Sequence, residues 1–330
     1  MLARGKGIGC MWYGIGNTGL PNPAAAFVEV HADGSVTVLA GCADIGQGSD
    51  TVLAQIVAET LGVTYEKVRV LSADTASTPE GGATSASRQT YISGNACHFA
   101  AIEAKENIVQ VASEILECSK EDVILVDNTA CDKSNKDKKI TYKEIMLGLK
   151  QRGLLALGKG QFNPSASALA ENMQGIPYAT YAFATHIAEV EVNTETGVVR
   201  VLKMIAAHDV GQAINTANVE GQIEGGVVMG MGFALTEKLD IKEGVISNPD
   251  FNSYIIHTAK DMPEIYPIIV EDYSGEGPFG AKGVGEPALI PAAPAIINAI
   301  HDAVGVRFRD LPLTPERVLE GIKNKEKNKK

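Results

Sequence analysis

Aromatic residues and positive charge are both scarce in this sequence. Aromatic side chains make up 5% of the 330 residues, and the formal net charge is −11. This balance excludes a dedicated nucleic-acid-binding protein, because neutralising phosphates requires a basic surface. Apolar residues at 45% and charged residues at 21% are ordinary for a folded chain, so extensive disorder is excluded as well.

Cysteine pairs, metal-binding spacings and long apolar runs are also missing. The five cysteines include no C-x-x-C pair, and the six histidines show no H-E-x-x-H spacing. We therefore expect reduced thiols and no iron–sulfur, zinc or other metal ligand set on this chain. No apolar run reaches 18 residues, and Met1–Gly19 lacks the apolar segment of a signal peptide. These features predict a cytoplasmic protein that does not bind membranes.

Glycine, by contrast, is abundant at 34 residues, and it marks a weak internal repeat. Each copy contains a strand, a tight turn at Gly34 or Gly197, a second strand and an aspartate–glycine loop followed by a helix. The loop glycines Gly46 and Gly211 lie 165 residues apart, which is half the chain. Hairpins and helices in separate runs favour an α+β fold over a doubly wound parallel sheet. We expect two quasi-repeated domains of mixed or antiparallel sheets packed with helices.

The predicted domains are residues 1–152 and 178–330, joined by a linker at 153–177. The linker is placed where glycine and proline interrupt all periodicity. A polar loop is predicted at 132–139. Helices are predicted at 49–61, 95–117, 142–150, 216–232, 294–304 and 315–323.

Two loops have the composition of an anion-binding site. Gly46-Gln47-Gly48 follows a strand and precedes a helix, so its backbone N–H groups are candidates to face an anion. The segment 83–90 combines small residues, hydroxyls and Arg88, which suits a phosphate. An ordinary turn and an ordinary helix-entry loop with a surface arginine explain the same patterns.

Two G-x-G-x-x-G matches, at 14–19 and 275–280, do not predict a dinucleotide-binding fold. Prolines follow the first match and interrupt the second, so neither opens a helix cleanly. Both are interpreted as glycine loops.

Gly280–Pro287 is the most distinctive segment. Glycines surround Glu286, apolar residues follow it, and Pro287 favours an extended backbone that projects the carboxylate instead of folding it into a helix. A carboxylate in tight, apolar surroundings is a candidate general base. A structural or capping glutamate fits the same pattern.

Taken together, these segments resemble the molybdopterin-binding subunit of the xanthine dehydrogenase and aldehyde oxidoreductase family. The resemblance extends over about residues 25–320 and matches the C-terminal half of that subunit. Five elements carry it in the family's order: Gly46-Gln47-Gly48, Ala86–Gln89, Asp209–Asn215, Gly221–Gly225 and Gly280–Glu286.

The resemblance implies that Glu286 is catalytic and that the pterin dithiolene holds molybdenum, with no metal ligand from the protein. The implied cofactor is molybdopterin cytosine dinucleotide, with a terminal sulfur or selenium on the metal. Backbone amides of the glycine loops are implied to bind it, and Gln47, Arg88 and Gln222 to add side-chain hydrogen bonds. The implied cofactor-binding residues are Gly46, Gln47, Gly48, Ser85, Ala86, Ser87, Arg88, Gln89, Asn215, Gln222, Gly283, Val284 and Gly285.

The resemblance also implies an enzyme that is active only as a complex. In the family, an N-terminal half of the long chain lines the substrate pocket, so we expect a larger molybdopterin subunit to supply that half. Iron–sulfur clusters and FAD are expected on further partner subunits, with NAD(P) as the acceptor. The implied reaction hydroxylates an N-heteroaromatic substrate with oxygen from water, converting nicotinate to 6-hydroxynicotinate.

Three alternatives stay open at this point. The same chemistry fits xanthine, another purine or an aldehyde. A non-catalytic subunit that only closes the cofactor cavity predicts tolerance of substitution at Glu286. A free-standing nicotinamide-dependent dehydrogenase is disfavoured by the proline-interrupted glycine motifs.

Overall fold

The computed structural model describes residues 1–327, in two compact units. Unit 1 contains Met1–Tyr13, Tyr181–Asp272 and the chain from Val284 onward, and unit 2 contains Gly14–Thr180 and Tyr273–Gly283. Residues 328–330, the end of the second predicted domain, lie outside the described residues.

The described strands, in chain order, are β1 (Leu2–Gly14), β2 (Ala24–Val30), β3 (Val36–Ala40), β4 (Val68–Ser72), β5 (Val123–Val126), β6 (Thr129–Asp132), β7 (Asn135–Thr141), β8 (Ala156–Phe162), β9 (Tyr181–Asn193), β10 (Val199–Asp209), β11 (Ile241–Lys242), β12 (Val245–Ile246) and β13 (Glu264–Val270). The described α-helices are α1 (Ser49–Leu61), α2 (Gly94–Leu116), α3 (Tyr142–Gln151), α4 (Thr216–Leu235), α5 (Ala292–Val304) and α6 (Pro315–Lys327). All six lie where the sequence predicts a helix.

Each unit is built on a four-stranded sheet with the same plan. The strand order is β8-β2-β3-β4 in unit 2 and β1-β9-β10-β13 in unit 1. In both sheets the central hairpin is antiparallel, and the last strand runs parallel to the second strand of the hairpin. A helix separates those two parallel strands in the chain, α1 in unit 2 and α4 in unit 1. The predicted α+β fold with quasi-repeated domains is confirmed.

Local signals explain the boundaries of the shared elements. The hairpin turns contain Gly34 and Gly197, whose φ angles of +79° and +77° lie in the left-handed region that favours glycine. Gly62 ends α1 with φ +65°. Thr141 and Glu144 form a capping box at the start of α3.

The outer strands β1 and β8 contain glycines that face a helix. A Cβ atom added to Gly7 would lie 2.1 Å from the backbone nitrogen of Ala299 in α5. One added to Gly158 would lie 2.0 Å from the carbonyl oxygen of Ala100 in α2. These glycines permit contact between a strand and a helix backbone, although in the sequence they look like chain breakers.

Three expectations about chain organisation are corrected by this structure. Ala156–Phe162, placed in the predicted linker, forms β8 and pairs with β2. The first 13 residues, placed in the first domain, join the sheet of unit 1 through β1. The predicted polar loop at 132–139 lies largely in the β6–β7 hairpin, where β7 is an edge strand rich in lysine.

The core of unit 1 lies between the inner face of its sheet and helices α4 and α5. Ala295, Ile296 and Ala299 of α5 are completely buried in it. Among the described residues, Glu286–Val304 alone passes the length and composition test for a membrane span, and half of that window is buried inside the protein. A buried core helix accounts for this pattern.

Candidate functional site

The glycine loop before α1, in unit 2, is closed by its own aspartate. Asp44 Oδ1 accepts hydrogen bonds from the amides of Gly46 at 2.8 Å and Gly48 at 3.4 Å, and Oδ2 accepts from the amide of Asp50 at 3.1 Å. Burial raises the pKa of Asp44, but the amide hydrogen bonds outweigh burial and lower this pKa overall. The amides of Gly46 and Gly48 predicted to bind an anion therefore already hold a carboxylate of the same loop.

The side chain of Gln47 also bonds within this loop. Its Nε2 donates to the carbonyl of Ala43 at 3.0 Å and to Ser49 Oγ at 2.9 Å, and its Oε1 accepts from the amide of Ile45 at 2.6 Å. In this structure Gln47 stabilises the loop, so its predicted hydrogen bond to a cofactor would require these contacts to rearrange.

The segment Ser85–Gln89 has a strained backbone. Ala86 and Ser87 have φ angles of +53° and +49°, a region that residues other than glycine adopt uncommonly. The carbonyl of Ala86 accepts a hydrogen bond from the amide of Gly16 at 2.9 Å, which helps to hold this conformation. Strain of this kind concentrates at ligand-binding sites, which makes this segment the stronger candidate cofactor loop of unit 2.

Arg88 is inside this loop and not on the surface, because only 1% of it is exposed. Its Nε donates to Asn22 Oδ1 at 2.7 Å, its Nη1 to the carbonyls of Gly81 and Ala83, and its Nη2 to the carbonyls of Asn22 and Pro23. These five bonds match the five N–H groups of a guanidinium. The prediction that Arg88 donates to a cofactor is corrected: it holds the loop in shape.

Gln89 is likewise turned inward. Its Nε2 donates to the carbonyl of Ala83 at 2.9 Å and to Thr84 Oγ1 at 3.2 Å, and Ser93 donates to its Oε1. Ser85, in contrast, is exposed. What this segment offers to a ligand is therefore its backbone and the Ser85 side chain.

Unit 2 brings this loop together with the first part of the Gly280–Glu286 motif. A Cβ atom at Gly283 would lie 1.8 Å from the carbonyl oxygen of Ser87, so only glycine fits there. The segment is anchored further upstream, where Tyr91 donates to Glu276 Oε2 at 3.2 Å and Asn95 Nδ2 donates to the Glu276 carbonyl at 2.6 Å. The glycine of this motif thus has a packing cause.

Glu286, in unit 1, begins a short 3-10 turn that leads to α5. The Tyr13 hydroxyl donates to Glu286 Oε2 at 2.8 Å. The predicted extended backbone is corrected, because Pro287 lies in the first turn, where a missing N–H breaks no helical bond. The side chain of Val284 packs against the core of unit 1, which positions the start of this turn.

Helix α4 supports the Glu286 turn from below. A Cβ atom at Gly226 would lie 2.5 Å from Ala288 Cβ, so the helix backbone packs directly on the turn. Asn215 caps α4 by accepting from the amide of Asn218 at 3.0 Å. Asn215 therefore has a structural role that sequence analysis did not assign.

The predicted Gln222 is half-buried on α4. On either side of it, Cβ atoms at Gly221 and Gly225 would meet nothing within 4 Å. These two glycines therefore have no packing cause within the described residues, unlike Gly226.

Tyr13 is the site residue that sequence analysis missed. The available signal was the alternation of Gly5, Gly7 and Gly9, which predicts a strand reaching Tyr13. Its contact with a glutamate 273 residues away has no local signal.

The two units define a class of protein: a duplicated scaffold that offers glycine loops, a strained segment and one carboxylate at the start of a helix. Among residues 1–327, no group of three or more His, Cys, Asp or Glu side chains is arranged to hold a metal ion. A cofactor bound by this scaffold would be held mainly by backbone groups and shape.

Comparison with known proteins identifies the family. Residues 1–263 match the molybdopterin cofactor-binding domain. The chain is 34% identical over 326 residues to the xanthine dehydrogenase molybdenum-binding subunit of Escherichia coli, covering 97% of this chain and 42% of that protein. The chain therefore belongs to the molybdopterin cofactor-binding domain family, as a molybdopterin-binding subunit of the xanthine dehydrogenase family.

Solved structures agree with this assignment. Quinoline 2-oxidoreductase from Pseudomonas putida superposes with a TM-score of 0.85 at 28% identity, over 98% of this chain and 42% of that one. Aldehyde oxidoreductase from Desulfovibrio desulfuricans gives a TM-score of 0.80 at 32% identity, over 97% of this chain and 32% of that one. The chain spans less than half the length of these relatives.

Proposed function

We propose that this chain is the medium molybdopterin subunit of a molybdenum hydroxylase of the bacterial nicotinate dehydrogenase type, with Glu286 as general base. The observation that carries this proposal is the Glu286 carboxylate, held by Tyr13 on a turn directly after Gly283. Gly283 itself packs on the strained loop at Ser87.

The residues present fit a molybdenum–pterin group in part. The strained backbone at Ala86 and Ser87 and the unfilled space beside Gly221 and Gly225 suit a ligand bound through shape and backbone groups. The Arg88 guanidinium does not, because its hydrogen bonds lie within unit 2. We propose molybdopterin cytosine dinucleotide as the cofactor, with sulfur or selenium completing the metal. When bound, this group supplies the two-electron oxidation, and water supplies the oxygen.

Glu286 is proposed to take the proton that is released when water-derived oxygen bonds to the substrate carbon. The Tyr13 hydroxyl orients the carboxylate by fixing one of its oxygens. The glycines before the turn and Pro287 within it limit backbone freedom at this position.

The proposed substrate is an N-heteroaromatic acid, nicotinate, hydroxylated at the carbon beside the ring nitrogen. Relatives named for xanthine and quinoline support a nitrogen heterocycle. A relative named for aldehydes keeps an aldehyde as the second candidate. Turnover of the purified complex on nicotinate, xanthine and an aldehyde, compared as kcat/KM, distinguishes these substrates.

The proposed partners are a larger molybdopterin subunit, an iron–sulfur subunit and an FAD subunit, with NAD(P) as the acceptor. The less than half-length match to relatives supports the larger subunit. We propose that the complex is cytoplasmic, which fits the five unbridged cysteines.

The substitution Glu286→Gln tests the catalytic role. In the purified complex, we expect turnover to fall by about 10²–10⁴-fold, because general-base removal costs this much. Molybdenum content and subunit composition should stay unchanged. Glu320→Gln, on an exposed position of α6, is the matched control and should leave turnover intact. Near-normal turnover of Glu286→Gln would support the non-catalytic alternative instead.

A further inference from the structure

The outer face of the unit 1 sheet changes character along its strands. At one end, ion pairs join neighbouring strands: Arg4 with Glu191 at 3.0 Å, Lys6 with Glu189 at 2.9 Å and Lys203 with Glu264 at 3.7 Å. The pairs from β1 and β9 also show that these two strands run antiparallel. This charged end is an ordinary solvated sheet surface.

The other end of the same face is apolar. We call it the apolar end and define it by Ile8, Cys10, Trp12, Phe183, Ile268 and Val270, all of which are exposed. Trp12 is 73% exposed, Ile8 56% and Phe183 51%. Large apolar side chains grouped on one surface are unusual for a face in contact with water.

The apolar end is continuous across all four strands. Thr185 of β9 contacts Cys10 of β1 at 3.4 Å, pairs with Ala207 of β10, and Ala207 pairs with Ile268 of β13. The ring of Trp12 lies 5.7 Å from that of Tyr181. The change from charged to apolar therefore occurs at a similar level on neighbouring strands.

Strands that are apolar on both faces are expected where both faces are covered. The inner face of this sheet already packs against α4 and α5. Strand β13 illustrates the pattern, because its sequence Glu-Ile-Tyr-Pro-Ile-Ile-Val is apolar after the first residue on both sides of the sheet.

The sheet of unit 2 provides an internal comparison. On its outer face, exposed Phe27 is in register with Lys159 of β8, and Glu29 is in register with Leu157. Polar and apolar side chains alternate across that face, which needs no cover. The apolar end is thus a property of unit 1 and not of the shared fold.

We propose that the apolar end docks the larger molybdopterin subunit, the polypeptide that corresponds to the part of the relatives this chain does not match. The inference rests on the proposed function, which introduces that subunit. In the relatives, the matched region makes up only 32–42% of a longer chain. A contact that is internal to one chain in a relative becomes an apolar subunit interface when two chains supply it.

The position of the apolar end supports this occupant. Trp12 directly precedes Tyr13, whose hydroxyl holds the Glu286 carboxylate. A polypeptide seated on Trp12 and Phe183 would therefore reach the neighbourhood of the proposed base, which is where a pocket-lining subunit belongs.

Cys10 is a natural reporter for this interface. It is exposed within the apolar end, whereas Cys42, Cys97 and Cys131 are buried and Cys118 is half-exposed in unit 2. Burial raises the pKa of Cys42 to about 12, which suppresses its reactivity further. Maleimide labelling followed by peptide mass spectrometry then compares Cys10 with Cys118.

We expect maleimide to label Cys10 in the isolated full-length chain and to label it at least about 10-fold more slowly in the native complex, because interface cores exclude water and solutes. Cys118 should label equally in both. Cys10 that stays as reactive in the complex as in the isolated chain overturns the proposal. Protection in the isolated chain that grows with its concentration also overturns it, since a second copy would then cover the face.

Phe183→Lys and Phe27→Lys form a matched pair of variants. Both replace an exposed phenylalanine on the outer face of a central strand, one in each unit. We expect Phe183→Lys to weaken association with the larger subunit at least about 10-fold and Phe27→Lys to leave it within about 2-fold. Equal weakening by both contradicts the proposal. If Phe183→Lys does not fold, the labelling of the unmodified chain still decides.

The two proposals fail in different ways. An active complex in which Cys10 stays reactive removes the docking surface but leaves the proposed function intact. A complex in which Cys10 is protected, while Glu286→Gln retains turnover, removes the catalytic role and leaves the docking surface intact.

Discussion

Unit 1 and unit 2 share a scaffold and differ in what they attach to it. Both have a four-stranded sheet of the same order, a helix after the central hairpin, and an outer strand whose glycines touch a second helix. Unit 2 carries the strained loop at Ala86 and Ser87, and unit 1 carries Glu286 and the apolar end. The scaffold is thus duplicated, whereas the chemistry and the proposed interface are not.

The aspartate–glycine loops show this divergence within one motif. The Gly46 amide donates to Asp44 at 2.8 Å, and the Gly211 amide donates to Asp209 at 3.1 Å. After this common bond the loops differ, because Asp44 also accepts from the first turn of α1, while Asn215 caps α4. A conserved local bond therefore supports two different helix entries.

Glycine substitutions in the outer strands should have the largest effect on stability. Gly7→Ala in unit 1 and Gly158→Ala in unit 2 each place a Cβ atom about 2 Å from helix backbone. We expect each to lower the free energy of unfolding by about 3 kcal/mol, because overpacking against backbone is poorly relieved. Gly225→Ala is the control, with nothing within 4 Å, and should raise it by up to about 1 kcal/mol. Urea unfolding measures all three, and a mild Gly158→Ala alone would show that the outer strands are not equivalent.

A pH dependence should separate the two units. His186 and His208 of the β9–β10 hairpin are completely buried with their Nε2 atoms 2.7 Å apart, and the β2–β3 hairpin has no histidine. Burial lowers the pKa of His186 to about 3 and that of His208 to about 4; for His186, the neighbouring histidine adds to the effect.

Because both folded-state values lie below the unfolded value of about 6.5, the unfolded chain binds protons first as pH falls. The stabilisation is therefore complete above about pH 6.5 and is lost towards pH 4. Between pH 7 and pH 5 we expect a loss of roughly 2 kcal/mol per histidine. Trp12 is the single tryptophan and lies in unit 1, so its fluorescence reports this unit. His208→Phe should flatten the dependence, and an unchanged slope would assign it to other groups.

The two aspartates of the shared loops should have smaller and unequal effects. Asp44→Asn and Asp209→Asn both weaken the bond to the following glycine amide. We expect Asp44→Asn to cost about 1–2 kcal/mol and Asp209→Asn about 1 kcal/mol, because Asp44 also serves the start of α1. Thermal unfolding of both variants measures the difference. Equal losses would mean that the additional amide bonds of Asp44 contribute little.

Tyr13→Phe should have the smallest effect and acts on unit 1 alone. Removing one hydrogen bond to the Glu286 carboxylate is expected to lower kcat by about 3- to 10-fold, with KM and molybdenum content unchanged. Tyr65→Phe, at an exposed position in unit 2, is the control. A change in KM without a change in kcat would place Tyr13 in substrate binding instead of positioning Glu286.

Patterns that arise within one element were readable from the sequence. All six α-helices, the two central hairpins and the α+β class follow from periodicity, capping residues and turn glycines. The outer strands β1 and β8 were not, because glycines that face a helix have the same letters as glycines that break a chain. The Arg88 side chain was misassigned for a similar reason, since its five acceptors come from segments up to 66 residues away.

The amino-acid sequence alone determined the duplicated scaffold, the order of its motifs and the family that they resemble, because these depend on spacing along the chain. Only the tertiary structure decided that Asp44 and Arg88 serve their own loops, that Tyr13 holds Glu286, and that one sheet has an uncovered apolar end. Those facts depend on which distant residues meet, and packing between elements, unlike local periodicity, leaves no fixed spacing in the sequence.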